Sequence, residues 1–518
     1  MSGAGGAEDA PPAIRLVDIC KRFGAVQANR DVSLSVAPGT IHGIIGENGA
    51  GKSTLVSILY GFYTADSGRI EIGGRPAVIH SSADAIAQGI GMVHQHFMLV
   101  PTFSVLENVM LGAEGGALLK EGAARIRASL EEISERHGLK VDPDALIEDL
   151  PVGLKQRVEI LKALQRGARI LILDEPTGVL TPEETDRLFD ILGTLRDEGV
   201  TILLITHKLR EIMAITDNVS VMRQGEMVAH RRTAETTRSE LAELMVGRSV
   251  LLEVDHTPAQ PGAVALEVEG LGYRDEAGVP RLQDISFQLR KGEIVGIAGV
   301  SGNGQSELLD ILSGILPPGS GRFSVGGETI APERPADPAR LRTLRLAHVP
   351  EDRHVRGLVL PFDLMENAVL GYHHGAATGS GLLLDLKAMR AHCDDLSERF
   401  DVRPRNPELA ARGLSGGNQQ KLVLAREMTI MPEVLLVGQP TRGVDIGAIE
   451  YIHQQLLRLR DAGSALLLVS VELDEILGLS DRILVMNQGR IVGECARDEA
   501  DARAVGLMMA GVAPASAA

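Results

Sequence analysis

The residues best suited to chemistry form a glycine-rich segment, GENGAGKST, at Gly46–Thr54. It follows the apolar run Ile41–Ile45 and precedes the apolar sequence LVSIL, so the pattern predicts a strand, a glycine loop and a helix. In such a loop the glycines aim backbone N–H groups at an anion, a lysine reaches the terminal phosphates and a hydroxyl binds Mg²⁺. The segment therefore predicts a phosphate-binding site, and its candidate residues are Gly46, Asn48, Gly49, Gly51, Lys52, Ser53 and Thr54.

Two carboxylates stand at the end of a second apolar run, in ILILDEPT at Ile170–Thr177. Ligands of open α/β sheets bind at the carboxyl ends of the strands, so Asp174 is a candidate Mg²⁺ ligand and Glu175 a candidate general base. His207 follows a third run, TILLIT, and is a candidate for contact with the γ-phosphate. A lone histidine at a strand end is more often structural, so this role depends on the other motifs.

Length and composition limit the class of protein to which the chain can belong. A chain of 518 residues exceeds the usual size of one hydrophobic core, and 44% hydrophobic with 23% charged residues is ordinary for a globular protein. No stretch of eighteen residues is apolar enough to span a bilayer. Three scattered cysteines favour a reducing compartment, and a net charge of −17 disfavours direct binding to nucleic acid.

The chain contains an internal repeat. YGFYTADSGRIEIGG, beginning at Tyr60, recurs as SGILPPGSGRFSVGG at Ser313, and Lys52 falls opposite Gln305. We therefore expect two copies of one domain. The predicted boundaries are a tail at 1–12, a first domain at 13–250, a linker at 251–263, a second domain at 264–510 and a tail at 511–518. We expect both tails to be disordered, and we do not expect the first tail to be a signal peptide.

Within the first copy, short apolar runs alternate with helical patterns. The runs at Ile41–Ile45, Arg169–Leu173 and Thr201–Ile205 lack alternation, as expected of parallel strands buried on both faces. Thr181 is a predicted N-cap, and Ala123–His137 is the clearest helix of a separate lobe. The core is thus predicted to be an α/β nucleotide-binding sheet.

Taken in order, these motifs resemble the ATP-binding-cassette (ABC) fold. The first half carries the glycine loop, Gln95, a variant signature at Leu150–Arg157, the two carboxylates and His207. The second half repeats the set at Gly299–Glu307, Glu351, Leu414–Lys421 and Ser470, and its LSGGNQQK is the family's signature almost verbatim. The resemblance implies two tandem ABC-type P-loop NTPase domains of the α/β class, each with a mixed or parallel sheet core and a helical subdomain.

The resemblance also implies two ATP sites, each built from the glycine loop of one copy and the signature of the other. Site one would use Lys52, Ser53, Asp174, Glu175 and His207 with ATP and Mg²⁺. Gln95 would act in catalysis and as a metal ligand, and Phe23 would stack on adenine, with Tyr273 at the matching place. The second copy would contribute Ser415, Gly416, Gly417 and Asp445. His94 and His96 flank Gln95 in a metal-like spacing, but no third ligand is evident, so we interpret them as loop residues.

Site two lacks most of these groups. Gln305 replaces the lysine, Gly438 and Gln439 replace the carboxylates, and Val471 stands opposite His207. Losing a cation near phosphate forfeits on the order of 4 kcal/mol at 4 Å and an effective dielectric constant of 20. The facing signature, LPVGLKQR, has Pro151 in place of serine. We therefore expect site two not to turn over.

Two functions remain open at this point. A degenerate second cassette resembles the ATPase subunit of bacterial importers for simple sugars and nucleosides, and MVHQHFMLVPTFSVLENV and VEILKAL resemble the nucleoside branch. That function implies permease subunits in the membrane, a solute-binding protein, one or two copies of this chain per transporter, and a peripheral location on the cytoplasmic face of the inner membrane. The alternative is a soluble twin-cassette ATPase acting on ribosomes or nucleic acid, which the acidic charge disfavours.

Overall fold

The chain divides into two compact units, Met1–Val250 and Leu251–Ala518. The computed structural model describes residues 11–24, 26–94, 97–112, 119–178, 180, 182–248, 257–300, 302–373, 384–444, 446–509 and 511. Most of the two predicted tails and half of the predicted linker lie outside the described residues. The residues discussed above that also lie outside them are Thr181, Gln95, His96 and Asp445.

The first unit contains two sheets. In its described part, an antiparallel sheet has the order β2-β1-β4-β5, with β1 Ile14–Phe23, β2 Val26–Val36, β4 Ser67–Ile72 and β5 Arg75–Ala77. A mainly parallel sheet has the order β10-β9-β3-β8-β7-β6, with β3 Ile41–Ile45, β6 Ile90–Val93, β7 Ile170–Asp174, β8 Thr201–Ile205, β9 Asn218–Arg223 and β10 Glu226–Arg232. Every residue of β3, β7 and β8 is buried, so the prediction of parallel strands covered on both faces is confirmed.

Helices of the first unit cover this sheet and form a separate lobe. Their bounds are α1 Lys52–Leu59, α2 Ser82–Ala87, α3 Val105–Met110, α4 Leu119–Arg136, α5 Val152–Gln165, α6 Pro182–Asp197, α7 Leu209–Ile215 and α8 Arg238–Val246. The predicted lobe contains α3, α4 and α5, which pack against one another. Helix α1 packs between the two sheets through Leu55, Val56, Ile58 and Leu59, which places its N-terminus at the carboxyl end of β3.

The second unit repeats this architecture. In its described part, the antiparallel sheet has the order β12-β11-β14-β15, with β11 Val264–Arg274, β12 Pro280–Arg290, β14 Ser320–Val325 and β15 Glu328–Ile330. The mainly parallel sheet has the order β16-β17-β18-β13-β19-β20, with β13 Ile294–Ala298, β16 Leu346–Val349, β17 Val434–Gly438, β18 Ala465–Ser470, β19 Arg482–Asn487 and β20 Arg490–Ala496. The helices are α9 Gln305–Leu312, α10 Pro338–Thr343, α11 Leu364–Ala368, α12 Leu386–Arg399, α13 Gly416–Thr429, α14 Ile446–Asp461, α15 Leu473–Leu479 and α16 Ala502–Met509. The predicted fold class is confirmed in both units.

A polar chain interrupts the apolar sheet of the first unit. His42, buried in β3, has its Nε2 2.7 Å from Ser220 Oγ, which is 2.8 Å from His230 Nδ1. Burial, reinforced by His230, lowers the pKa of His42 from 6.5 to about 4. In the second unit, Val295 of β13 has the register position of His42, and Leu484 of β19 has that of Ser220. Apolar side chains therefore fit both positions.

We expect the stability of the first unit to fall as the pH falls from 6.5 towards 4. In this range the unfolded chain protonates at His42 and the folded chain does not, so protonation favours unfolding by up to about 3 kcal/mol. His42→Val, which supplies the second unit's residue, should flatten this pH dependence in thermal unfolding. His80→Val, at an exposed histidine, is the control, and an equal flattening there would contradict the assignment.

Candidate functional site

The glycine loop of the first unit joins β3 to α1. Gly49 and Gly51 have φ values of 81° and 100°, which L-residues rarely adopt. A Cβ at Gly51 would lie 2.2 Å from the Ala28 carbonyl oxygen, and one at Gly46 would lie 2.2 Å from that of Met222. Glycine is therefore required at both places, and the loop delivers the chain to the N-terminus of α1, where backbone N–H groups favour an anion.

Lys52 lies inside this loop and is only 5% exposed. Its Nζ donates hydrogen bonds to the carbonyl oxygens of Gly46, at 2.7 Å, and Glu47, at 3.0 Å. Burial lowers its pKa, while Glu175 and Asp174 act in the opposite direction. A cation held in a cradle of glycines is suited to bind phosphate oxygens. Asn48 and Ser53 are exposed beside it, and Thr54 is partly buried.

Ser53 and Asp174 form a second pair of polar groups. Asp174 ends β7 and is 9% exposed, and the Ser53 hydroxyl donates a hydrogen bond to it. Burial, followed by the neighbouring Glu175 charge, raises the pKa of Asp174 to about 6. A hydroxyl and a carboxylate are the hard oxygen ligands that Mg²⁺ takes beside substrate phosphates, so this pair fits the ion.

Glu175 and His207 form the third pair. Glu175 has a φ of 47°, and its backbone N–H donates to the Ile205 carbonyl at 2.8 Å, which ties the turn after β7 to the end of β8. Its Oε1 lies 3.0 Å from His207 Nδ1. This hydrogen bond is the main cause that lowers the pKa of Glu175, so the carboxylate is ionised and oriented. An ionised carboxylate in a fixed position can accept a proton from water.

Sequence reasoning missed the residue that supports these strand ends. Glu211, on α7, is buried and accepts hydrogen bonds from Thr177 and from Thr206, the latter at 3.0 Å. Burial raises the pKa of Glu211. The two threonines follow β7 and β8, so Glu211 holds together the turns that carry Glu175 and His207. A glutamate in an amphipathic helix gives no sequence signal for such a role.

The second unit keeps the backbone of this site and loses its charges. Gly302 and Gly304 have φ values of 89° and 99°, and Gln305 takes the buried position of the lysine. Gln439 has a φ of 47° and donates its N–H to the Val469 carbonyl at 2.8 Å, as Glu175 does to Ile205. Its side-chain oxygen accepts from the Val471 N–H at 3.2 Å. A neutral amide thus occupies the place that the Glu175 carboxylate has in the first unit.

The helices that carry the two signature segments, α5 and α13, differ at the N-cap. Ser415 is the N-cap of α13, and its Oγ accepts from the Asn418 backbone N–H at 3.4 Å and side-chain amide at 2.9 Å. Gly416 and Gly417 open this helix, so its first two residues have no side chains. At the matching N-cap of α5, Pro151 makes no side-chain hydrogen bond. Only the second unit therefore presents a polar cap before a glycine-rich first turn.

Arg353 is a further residue that sequence reasoning missed. It begins a π-helical turn, Arg353–Gly357, and its guanidinium donates to the carbonyl oxygens of Arg442, at 2.7 Å, and Gly443, at 3.4 Å. It also donates to Gln419 Oε1 at 3.3 Å. A Cβ at Gly416 would lie 2.8 Å from Arg353 Nη2, so the guanidinium packs directly on the start of α13.

The remaining candidate residues lie in different surroundings. Phe23 is 42% exposed at the end of β1 and meets Tyr63 edge to face at a centroid distance of 5.1 Å. Tyr273, near the end of β11, is partly buried against the core. The His94 ring stacks on Phe62. No group of three or more His, Cys, Asp or Glu side chains within the described residues could hold a metal.

A strand followed by a glycine loop and a helix defines a P-loop nucleotide-binding domain, and each unit of this chain has one. In the first unit, two carboxylates also stand at the carboxyl end of β7, two strands from β3 in the sheet. The ABC transporter family model matches residues 29–178 and 282–442. The chain belongs to the ABC transporter family, whose ATP-binding domains are ATPases.

Several characterised relatives are similar over nearly their whole length. The nucleoside import ATP-binding protein NupA of Lactococcus lactis is 45% identical over 96% of this chain and 98% of its own. The glucose import ATP-binding protein TsgD13 of Haloferax volcanii is 44% identical, covering 98% and 97%. The guanosine import ATP-binding protein NupO of Bacillus subtilis is 44% identical, covering 96% and 97%. A solved ABC-transporter cassette in its ADP conformation is 27% identical, with a TM-score of 0.41, over 46% of this chain and 99% of that one.

Within the described residues, no helix combines the length and the apolar composition that a membrane span requires.

Proposed function

We propose that this chain is the ATP-hydrolysing subunit of an importer for nucleosides or simple sugars, with one working composite ATP site. The observation that carries the proposal is the contrast between the units. The first has a buried lysine, a hydroxyl–carboxylate pair and an ionised glutamate, whereas the second has neutral Gln305 and Gln439 in the same backbone frame. The relatives named above act on nucleosides and sugars, which supports the substrate class.

At the working site, each residue has a separate task. The loop N–H groups and Lys52 bind the phosphates, and the lysine neutralises charge that develops on the γ-phosphate. Ser53 and Asp174 would hold Mg²⁺, which supplies further neutralisation of phosphate charge when bound. Glu175 accepts the proton of the attacking water, and His207 keeps the carboxylate oriented.

The second unit would complete this site with its signature helix. Ser415 offers a hydroxyl and the first turn of α13 offers backbone N–H groups, which are suited to bind the γ-phosphate of nucleotide held by the first loop. Asp445 would approach from the following turn. The reverse combination has Gln305 in place of the loop lysine and Pro151 in place of the N-cap serine, so it lacks both the cation and the N-cap hydroxyl, and we expect no turnover there.

The permease would bind at a groove of the first unit. This groove has a volume of about 350 Å³ and is lined by residues that include Tyr60, Phe62, His94, Met98 and Glu159. Phe62 and Met98 are 50% and 60% exposed, so apolar surface is available for a partner. Gln95, the predicted catalytic residue and metal ligand, directly follows His94 in the sequence, so a permease segment bound here would contact the residue that precedes it.

Reconstitution with the permease tests the proposed function. The chain, purified with its permease in lipid, should hydrolyse ATP faster when a nucleoside- or sugar-loaded binding protein is added. Phe62→Asp should remove this stimulation and preserve the unstimulated rate, and Val78→Asp, at an exposed residue outside the groove, is the control. Copurification with ribosomes and stimulation by RNA, without a response to solute, would favour the twin-cassette alternative and contradict the proposal.

Arg353→Ala should lower kcat for ATP hydrolysis roughly tenfold with little change in KM, because charge-assisted hydrogen bonds from the guanidinium hold the start of α13 against the Gly443 turn. We expect this fall in kcat even though Arg353 belongs to the second unit, whose glycine loop has neutral Gln305 in place of the lysine. Arg340→Ala, at an exposed ion pair with Glu328, is the control. Steady-state kinetics measures both variants, and an unchanged kcat for Arg353→Ala would refute this positioning role.

A further inference from the structure

The side-chain amide of Asn418, in the first turn of α13, has an orientation that its partners determine. Its Oδ1 accepts a hydrogen bond from the Arg403 backbone N–H at 2.7 Å. The oxygen of an amide only accepts and its nitrogen only donates, so the amide atom that meets this backbone N–H must be the oxygen. The amide nitrogen therefore faces Ser415, and it donates a hydrogen bond to Ser415 Oγ at 2.9 Å.

The Ser415 hydroxyl is an acceptor for both of its neighbours. Besides the amide, the backbone N–H of Asn418 donates to Ser415 Oγ, at 3.4 Å. A hydroxyl has two lone pairs and one proton, and here two donors occupy the two lone pairs. Among the described residues, no acceptor takes the proton of this hydroxyl, and Ser415 is exposed. The proton is thus available to an acceptor that approaches the start of α13.

Two other serine N-caps of the chain have the opposite arrangement. Ser81 caps α2 and Ser104 caps α3, and three residues later each is followed by a carboxylate, from Asp84 and Glu107. Each hydroxyl accepts from the backbone N–H of that residue, as Ser415 does. Each also donates its proton to the carboxylate, at 2.9 and 3.0 Å. The residue three positions after the cap therefore decides whether the hydroxyl proton is used within the helix start or remains available.

We propose that Asn418 is a positioning residue for ATP hydrolysis at the first glycine loop, which acts by leaving the Ser415 hydroxyl proton for an oxygen of the γ-phosphate. The inference rests on the proposed function, in which Ser415 binds that phosphate. A phosphate oxygen is an acceptor, so a cap hydroxyl whose proton is already taken by a carboxylate cannot donate to it. The corresponding helix of the first unit has Pro151 and Leu154 at these two positions and offers neither group.

Asn418→Asp tests this role, because it exchanges the donor nitrogen for an acceptor oxygen with almost no change in shape. The new carboxylate should take the Ser415 proton, as Asp84 takes that of Ser81. We expect kcat for ATP hydrolysis to fall about a hundredfold, which is the scale for losing one donor to a developing anion. A carboxylate at this position completes a capping box and favours the helix, so the melting temperature should be equal or higher.

A double-mutant cycle separates the direction of the proton from the added charge. In a Ser415→Ala background there is no hydroxyl to redirect, so adding Asn418→Asp should change kcat by less than about threefold. Repulsion between the new carboxylate and the phosphates would instead act equally with and without the hydroxyl. Asn406→Asp, which adds the same charge at an exposed residue of the same unit, is the control and should keep the parent's kcat.

Three results would overturn the role of Asn418: a parent-like kcat for Asn418→Asp, an equal fall in kcat in both backgrounds, or a lower melting temperature for the single variant. Failure of the proposed function gives a different pattern. An unchanged kcat for Ser415→Ala would contradict the shared site itself, and with it this role. Loss of turnover in Ser415→Ala together with parent-like turnover in Asn418→Asp would refute the role of Asn418 alone.

Discussion

Glu175→Gln is expected to lower ATP turnover by roughly a hundred- to ten-thousand-fold while ATP binding persists, because removal of a general base has effects of this size. The amide should fit without disturbing the backbone. Gln439 in the second unit already adopts the same φ of 47° and the same hydrogen bond to the neighbouring strand. Phosphate release at saturating Mg²⁺–ATP measures turnover, and equilibrium titration measures binding.

The matched control exchanges the residue at the corresponding turn of the second unit. Gln439→Glu supplies a carboxylate there but leaves Gln305 in place of a lysine, so it should add no turnover alone and restore none to the Glu175→Gln protein. Restoration of hydrolysis by Gln439→Glu would show that the second loop is catalytically competent. The assignment of the working site to the first loop would then be wrong.

Ser415→Ala is expected to lower turnover roughly a hundredfold, which is the scale for removing one hydrogen-bond donor from a developing anion. The same change removes the N-cap of α13, which costs on the order of 1 kcal/mol of helix stability. Both effects act on the helix that would face the γ-phosphate. Pre-steady-state phosphate release measures the change in the chemical step.

Pro151→Ser is the counterpart of this variant in the first unit. It should leave turnover near the parent value, because the cap it creates would face the loop of Gln305. If Ser415→Ala, Pro151→Ser and the parent hydrolyse ATP at comparable rates, the proposal of a site shared between the two units fails.

Sequence patterns were sufficient for the local features of the site. Lys52 and Ser53 belong to one contiguous motif, and Asp174 and Glu175 end one apolar run, so their positions followed from strand and helix signals alone. The parallel alignment of β7 beside β8 then brings Glu175 to His207. The internal repeat likewise gave the second unit's architecture, because equivalent sequences adopt equivalent strand orders.

The residues that escaped sequence reasoning act over long distances in the chain. Arg353 contacts carbonyl groups about ninety residues away, and Glu351 reaches Ser306 across forty-five. Neither contact has a periodic pattern, because each depends on which strand ends become neighbours in the sheet. Glu351 takes the place of Gln95 in the internal repeat, and that alignment gives no indication of its hydrogen bond to Ser306. The roles predicted for Gln95 and Asp445 lie outside the described residues and stay predictions.

The most direct test of the asymmetry between the two units is vanadate-directed photocleavage of the full chain with Mg²⁺ and ATP. Vanadate trapped with ADP mimics the transition state of phosphate transfer, and illumination cuts the backbone that surrounds it. We predict cleavage within Gly46–Thr54 and an intact segment at Gly299–Glu307. Cleavage at the loop of Gln305, with the loop of Lys52 intact, would contradict the account.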